Sequence, residues 1–243
     1  MKLLYRIYQS IFLTILGGLS TLLTAGVTIV GCMFNGHFWG YYPGKLWSRF
    51  MCFISLIPVK VTGRENIQKG QSYVFVLNHQ GAFDIFLVYG YLNRNFKWMM
   101  KKSLRHAPVI GPACAACHHI FVDNSSPSAI IHTIEEGRKT LQGGTSLVVF
   151  PEGQRTFTGK MNRFKKGAFL LAEQLGLPIV PITINGSFEI LPRQKGMSFI
   201  NWHRMSMTIH KPILPKGDSP EAIREVMEEA YESIHSSLEE RYK

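Results

Sequence analysis

The sequence is short of cysteine, short of acid and, over one long stretch, devoid of charge. Four cysteines in 243 residues are too few to build a disulfide-held miniprotein, and they fit a reducing compartment. Asp and Glu number 16 against 27 Lys and Arg, a formal charge of +11. Such a chain attracts anions: nucleic acid, anionic lipid headgroups, phosphate or coenzyme A. The 22 glycines and 12 prolines show no three-residue period, which excludes collagen. No internal repeat or low-complexity tract is present. With 46% hydrophobic residues the chain can offset ordering entropy, so it is not disordered. Its length suits one large domain or two small ones, with a sizeable core.

No charged residue occurs from Ile7 to Gly44. The densest part, residues 11–34, would span about 36 Å as a helix, the thickness of a hydrocarbon core. A cleaved signal peptide fits poorly, because the stretch is too long and no small-residue cleavage site follows. Gly17, Gly18, Gly26 and Gly31 would let a second helix pack closely in lipid. Lys45 and Arg49 share a helical face beside the apolar stripe Leu46, Phe50, Phe53, Ile54 and Ile57, with Pro43-Gly44 as the turn. Trp39, Tyr41, Tyr42 and Trp47 suit the headgroup level. Residues 1–57 therefore read as an N-terminal membrane anchor, a helix or a hairpin with both ends cytoplasmic; the alternative is a buried core helix.

Residues 58–243 read as one α/β domain. Ser72–Asn78, Ser146–Phe150, Ile179–Ile184 and Met205–His210 are expected strands, with Phe96–Met100 and His119–Val122 as weaker ones. Helices are expected at Ala82–Leu92, Ser126–Gln142 and Lys165–Leu175. A last helix is expected to open on Ser219 as N-cap and Pro220. Alternating strands and helices imply a mixed or largely parallel sheet with helices on both faces.

Ligands in such sheets gather where strands run out into loops. The first exit is Asn78-His79-Gln80-Gly81-Ala82-Phe83-Asp84. A carboxylate beside an imidazole orients it as a general base. On a straight helix, positions five apart point about 140° away from each other. A dyad of His79 and Asp84 therefore needs a turn, which Gly81 permits. Otherwise Asp84 only caps the next helix. The second exit is Phe150-Pro151-Glu152-Gly153-Gln154-Arg155, in which Arg155 suits bidentate phosphate binding. Lys160, Arg163, Lys165 and Lys166 follow, and Lys101, Lys102 and Arg105 form another basic cluster. A nucleotide P-loop is excluded, because Gly153 to Gly159-Lys160 has one residue too many and Met161 stands where a hydroxyl is needed.

Asn78-His79-x4-Asp84, followed about 70 residues on by F-P-E-G-x-R, strongly resembles the 1-acyl-sn-glycerol-3-phosphate (lysophosphatidate) acyltransferases, the PlsC-type glycerolipid acyltransferases. Ile120-Phe121-Val122-Asp123 looks like the family's second block and Ile179-Val180-Pro181-Ile182 like its fourth. Lys101-Lys102-Ser103-Leu104 with Pro108 and Gly111 resembles the basic segment between the first two blocks. The resemblance spans roughly residues 60–215.

It implies transfer of a fatty acyl group from acyl-CoA or acyl-carrier protein to the free hydroxyl of a lysophospholipid. The first acceptor implied is 1-acyl-sn-glycerol-3-phosphate, giving phosphatidic acid. His79 and Asp84 would be catalytic. Glu152, Gly153, Arg155, Lys101, Lys102 and Asp123 would bind substrate, with Glu152 orienting Arg155 or a glycerol hydroxyl. No metal or cofactor is implied. The partners would be the two substrates and membrane lipid, not nucleic acid, at the cytoplasmic face of the cell membrane. Three positions depart from the family pattern: Gly81 for a frequent Ser, Gln154 for Thr, and Asn124 for an Arg associated with acceptor phosphate. The last leaves a different lyso-lipid acceptor open.

Two other readings compete. Cys114-Ala115-Ala116-Cys117-His118 spells a c-type haem attachment motif. It is better explained by small buried side chains, and no second ligand pair supports zinc there. The same dyad could also serve a thioester hydrolase that uses water.

Overall fold

The apolar run Val74–Leu77 forms a strand with all four residues buried, and its alternate side chains feed two different cores. The computed structural model describes residues 2–122, 135–141, 143–196 and 199–243. In chain order its elements are α1 (Lys2–Tyr8), a π-helical turn (Gln9–Leu13), α2 (Thr14–Cys32), α3 (Gly36–Trp39), α4 (Tyr42–Ile54), β1 (Val59–Thr62) and β2 (Val74–Leu77). Then come α5 (Asp84–Tyr91), β3 (Phe96–Lys101), α6 (Ile110–Ala116), β4 (Ile120–Val122), β5 (Ser146–Val149), α7 (Gly167–Leu175), β6 (Ile179–Asn185), α8 (Ser187–Ile190), β7 (Met205–Ile209) and α9 (Pro220–Ser236).

The strands form one seven-stranded sheet in the order β1-β7-β6-β2-β5-β3-β4. Every pairing is parallel except β6 with β7. This is the mixed, largely parallel sheet expected. Phe75 and Leu77 point to one face, where Leu87 and Val88 of α5 pack. Val74 and Val76 point to the other, against Phe169 of α7 and Val226 and Ala230 of α9. Each fully buried Val, Leu or Phe side chain contributes about 1.5–3 kcal/mol. Ser219 caps α9, its side chain accepting from the Ala222 N–H. Gly176 ends α7 in the left-handed region at φ 63°.

The helix expected over residues 126–142 lies mostly outside the described residues; residues 135–140 are helical. Three elements of the α/β part were not foreseen: β1, α6 and the four-residue α8. β1 is a four-residue edge strand whose burial alternates, too short to stand out. α6 is built of Ile, Gly, Pro, Ala and Cys, which carry no helical period.

The N-terminal hairpin differs from expectation in three ways. Pro43 and Gly44 are not the turn: they open α4, and the chain reverses between Met33 and Tyr41. Asn35 stabilises that reversal by accepting from the Phe38 N–H. The apolar stripe of α4 divides, with Ile54 and Ile57 buried while Leu46 and Phe53 stay exposed. The long helix also lies across the α/β part instead of leaving it. At one end the Gln9 amide makes two hydrogen bonds with the Ile200 backbone, at 2.9 and 2.8 Å. At the other, Asn95 donates to the His37 carbonyl at 2.9 Å and the Tyr89 hydroxyl to the Gly40 carbonyl at 3.0 Å.

Residues Leu3–Cys32 are long and apolar enough to cross a membrane. Leu19, Leu22, Leu23 and Val30 are exposed, so this is not a buried core helix. Tyr41, Cys52 and Ile57 nevertheless belong to the same buried cluster as Phe75 and Tyr89. The division at residue 57 is thus no boundary in packing.

Candidate active site

β2 and β5 are parallel neighbours, so their C-terminal exits open side by side. Asn78 continues the β2–β6 pairing through its side chain, donating to the Ile184 carbonyl at 2.9 Å and accepting from the Ile184 N–H at 2.7 Å. That fixes the start of the loop. His79 follows, and its Nδ1 lies 2.7 Å from Asp84 Oδ2. The same oxygen accepts the backbone N–H groups of Gln80 at 2.8 Å and Gly81 at 3.0 Å. Asp84, fully buried as the first residue of α5, therefore holds both the imidazole and the turn that brings it near.

The turn is possible for a reason other than the one expected. Gly81 does not adopt positive φ. Glycine is needed for space: a Cβ there would lie 2.6 Å from the Ser187 carbonyl and hydroxyl oxygens. Gly81 pairs with Pro192 in an antiparallel bridge. The His79 ring stacks on Phe150 with centroids 3.9 Å apart, and Phe150 stacks in turn on Trp98 at 5.6 Å. With Nδ1 engaged and the ring face covered, Nε2 is the nitrogen left for a substrate.

Glu152 takes a different place from the one the motif implied. Its Oε1 accepts the His79 N–H at 2.7 Å, and its Oε2 accepts the Asn162 N–H and side-chain amide at 2.8 and 2.7 Å. No bond to Arg155 occurs among the described residues. Burial pushes the Glu152 carboxyl up to about 7, against the pull of those three N–H donors. Glu152 is thus a clamp between the two exits. Gly153 is left-handed at φ 76°, with Lys165 close over it.

Both exits face one cavity of about 700 Å³. Thr21, Thr24, Ala25 and Thr28 of α2, Trp47 of α4 and Tyr89 belong to its lining, most of which is apolar. Lys101, Arg155, Lys165 and Arg193 bring four cations to its wall. A mostly apolar cavity that carries four cations can accommodate an acyl chain together with an anion. His79 is part of the same wall. Of the sequence-predicted residues, His79, Gly153, Arg155 and Lys101 line this cavity; Lys102 does not. Asp123 and Asn124 lie outside the described residues.

The Cys-x-x-Cys-His segment is used as wall. Cys114 and Cys117 line the cavity, their thiols pushed up by burial to about 11 and about 12. They are neutral, small apolar surfaces there. His119, buried beside them, is pushed down to about 3, chiefly by burial. It accepts the Trp98 N–H on Nδ1 at 3.3 Å and stays uncharged. Sequence reasoning missed Arg193, Asn162 and the Phe150–Trp98 stack. Arg193 lies beyond the last recognisable block, in a segment without periodicity. Asn162 is one polar residue among many in its loop.

A family model described as acyltransferase matches residues 58–185. The 1-acyl-sn-glycerol-3-phosphate acyltransferase of Saccharomyces cerevisiae is 31% identical over 203 residues, covering 80% of this chain and 66% of that protein. The chloroplastic enzyme LPAT1 of Arabidopsis thaliana is 30% identical over 215 residues, 84% of this chain and 59% of that one. The chain thus spans about three fifths to two thirds of the length of these relatives. The crystal structure of the 1-acyl-sn-glycerophosphate acyltransferase PlsC from Thermotoga maritima superposes with a TM-score of 0.75 at 25% identity, covering 96% of this chain and 95% of that one. With the family model matching more than half of its residues and the same fold over nearly its whole length, the chain belongs to the acyltransferase family.

Proposed function

We propose that this chain transfers a fatty acyl group from a thioester donor, acyl-CoA or acyl-carrier protein, to the free hydroxyl of a lysophospholipid. Its first acceptor is 1-acyl-sn-glycerol-3-phosphate and its product phosphatidic acid. The observation that carries this reading is the His79–Asp84 pair at 2.7 Å, with His79 lining a mostly apolar cavity that α2 helps to wall and that also bears Arg155. The names of the relatives favour the same acceptor.

The chemistry follows from the ring nitrogens. Asp84 holds the proton on Nδ1 and leaves Nε2 as the base. Nε2 takes the acceptor hydroxyl proton as that oxygen attacks the thioester carbonyl carbon. The tetrahedral intermediate collapses by breaking the carbon–sulfur bond, and the imidazolium returns its proton to the departing thiolate. The acyl chain lies along the Thr21–Thr28 side of the cavity, and Arg155 with Lys101 takes the phosphate.

The cavity wall contributed by α2 supports a reading in which the reaction takes place at a membrane. The exposed residues Leu19, Leu22, Leu23, Leu46 and Phe53 face lipid, and both ends of the helix return to the α/β part. In this reading the hairpin dips into one leaflet, with the domain on the cytoplasmic side. The test is a radiolabelled acyl transfer assay with full-length chain in lipid. Acyl-CoA and acyl-carrier protein are offered in turn to a panel of lyso-lipids. Labelled phosphatidic acid is expected. Free fatty acid as the sole product would assign the dyad to hydrolysis instead.

A further inference from the structure

Arg155 is not the only guanidinium that lines the cavity. Arg193, just after α8, lines it together with Gln154, Arg155 and Lys165. Its Nη1 donates to the Gln154 side-chain oxygen at 3.0 Å and to the Arg155 carbonyl at 3.4 Å. Its guanidinium carbon lies 4.2 Å from the centroid of the Phe157 ring. Two bonds from one nitrogen and an aromatic face beneath hold the plane in place. Among the described residues, Nη2 and Nε have no hydrogen-bond partner.

The backbone around Arg193 is tied to the dyad. Pro192 pairs with Gly81, and the Ala82 N–H donates to the Leu191 carbonyl at 3.2 Å. Gly81 and Ala82 lie within the turn that joins His79 to Asp84. Base and guanidinium are therefore anchored to one frame. The contact is also matched to this chain's own sequence. Gln154, which meets Arg193 at 3.0 Å, stands where the family pattern usually has Thr.

We propose that Arg193 is a positioning residue: its unoccupied edge takes the phosphate monoester of the acceptor beside Arg155 and holds the acceptor hydroxyl at His79. The inference rests on the acyl-transfer reading above. A phosphate could also come from the nucleotide end of coenzyme A. The acceptor's phosphate is the better match, because only a short run of bonds separates it from the reacting hydroxyl. The whole pantetheine arm separates the donor's phosphates from the thioester.

The experiment varies lysophosphatidate and acyl-CoA separately for wild type, Arg193→Ala, Arg193→Lys and Gln154→Ala in lipid, with monoacylglycerol as a phosphate-free acceptor. Arg193→Ala should raise the KM for lysophosphatidate by about tenfold to a hundredfold, the worth of a lost charge-assisted contact. The KM for acyl-CoA and turnover on monoacylglycerol should stay within about twofold, an order-of-magnitude allowance for remote changes. Arg193→Lys should recover part of the loss, since it restores charge without the fork. Gln154→Ala, at an exposed position, should raise the same KM and add little on top of Arg193→Ala. An unchanged lysophosphatidate KM in Arg193→Ala and Gln154→Ala overturns the proposal. So does a shift confined to acyl-CoA, which would assign the edge to the donor. An equal loss on monoacylglycerol also overturns it, by making Arg193 merely structural. Wild-type chain that acylates no lysophospholipid would overturn the acyl-transfer reading itself, and this proposal with it.

Discussion

The backbone N–H of His79 donates to Glu152 Oε1 at 2.7 Å. This bond joins the loop after β2 to the loop after β5, so the histidine's position is set by a residue 73 positions away. The second Glu152 oxygen fixes Asn162 on the far side. A motif that reads as two separate strand exits is one hydrogen-bonded unit, and Glu152 serves it by orienting backbone.

The raised Glu152 carboxyl predicts a pH dependence of stability. Below about pH 4.5 both folded and unfolded chains hold this proton. Between 4.5 and about 7 the unfolded chain ionises first. The contribution of the group is therefore full at low pH and lost as pH rises through about 7, on the order of 3 kcal/mol at most. Urea unfolding in detergent at pH 5 and pH 8 should show a smaller difference for Glu152→Gln than for wild type. The same variant should lower turnover at pH 8, because its amide sets a donor against the His79 or Asn162 N–H.

Much of this arrangement was legible beforehand, and unevenly so. The buried strands announce themselves as apolar runs, and Ser219-Pro220 announces the start of α9. The family resemblance pairs His79 with Asp84, while their spacing alone leaves open that Asp84 is only a helix cap. The role of Glu152 was not legible, since its partners are backbone groups of distant residues and leave no trace in side-chain pattern. Arg193 was hidden for a similar reason: it reaches the cavity through the Gly81–Pro192 bridge, a contact between segments more than a hundred residues apart. The hairpin's apolar character was legible, whereas the packing of Tyr41 and Cys52 into the core was not, because both look like membrane residues.

Gly81→Ser tests the turn. The family pattern often has Ser here, yet the Ser187 oxygens leave no room for a Cβ in this chain. The substitution should push the turn outward and pull the Gly81 N–H away from Asp84. A fall in melting temperature and at least about tenfold lower turnover are expected, since a slip of about 1 Å at a reacting group can cost that or more. A variant with wild-type stability and rate would show that the turn has slack.

Removing residues 1–57 should not release a working domain. It strips Tyr41, Cys52 and Ile57 from the cluster around Phe75 and Tyr89 and removes the α2 wall of the cavity. The truncated chain is expected to aggregate or unfold, and to lose activity on soluble short-chain acceptors as well as on bilayers. Retention of activity on the soluble acceptor alone would restore the picture of a detachable anchor. Carbonate washing should leave the intact chain on membranes, because exposed Leu, Val and Phe side chains hold it there.

The central claim is that His79, held by Asp84, is the base for acyl transfer. Its most direct test is single-turnover transfer from radiolabelled acyl-CoA to lysophosphatidate by wild type and His79→Ala, with melting temperatures measured in parallel. The base's loss should slow transfer by about 10²–10⁴-fold while the fold persists, since among the described residues the His79 side chain bonds only to Asp84 and stacks at the cavity wall. A folded His79→Ala chain that transfers acyl groups at the wild-type rate would contradict the account.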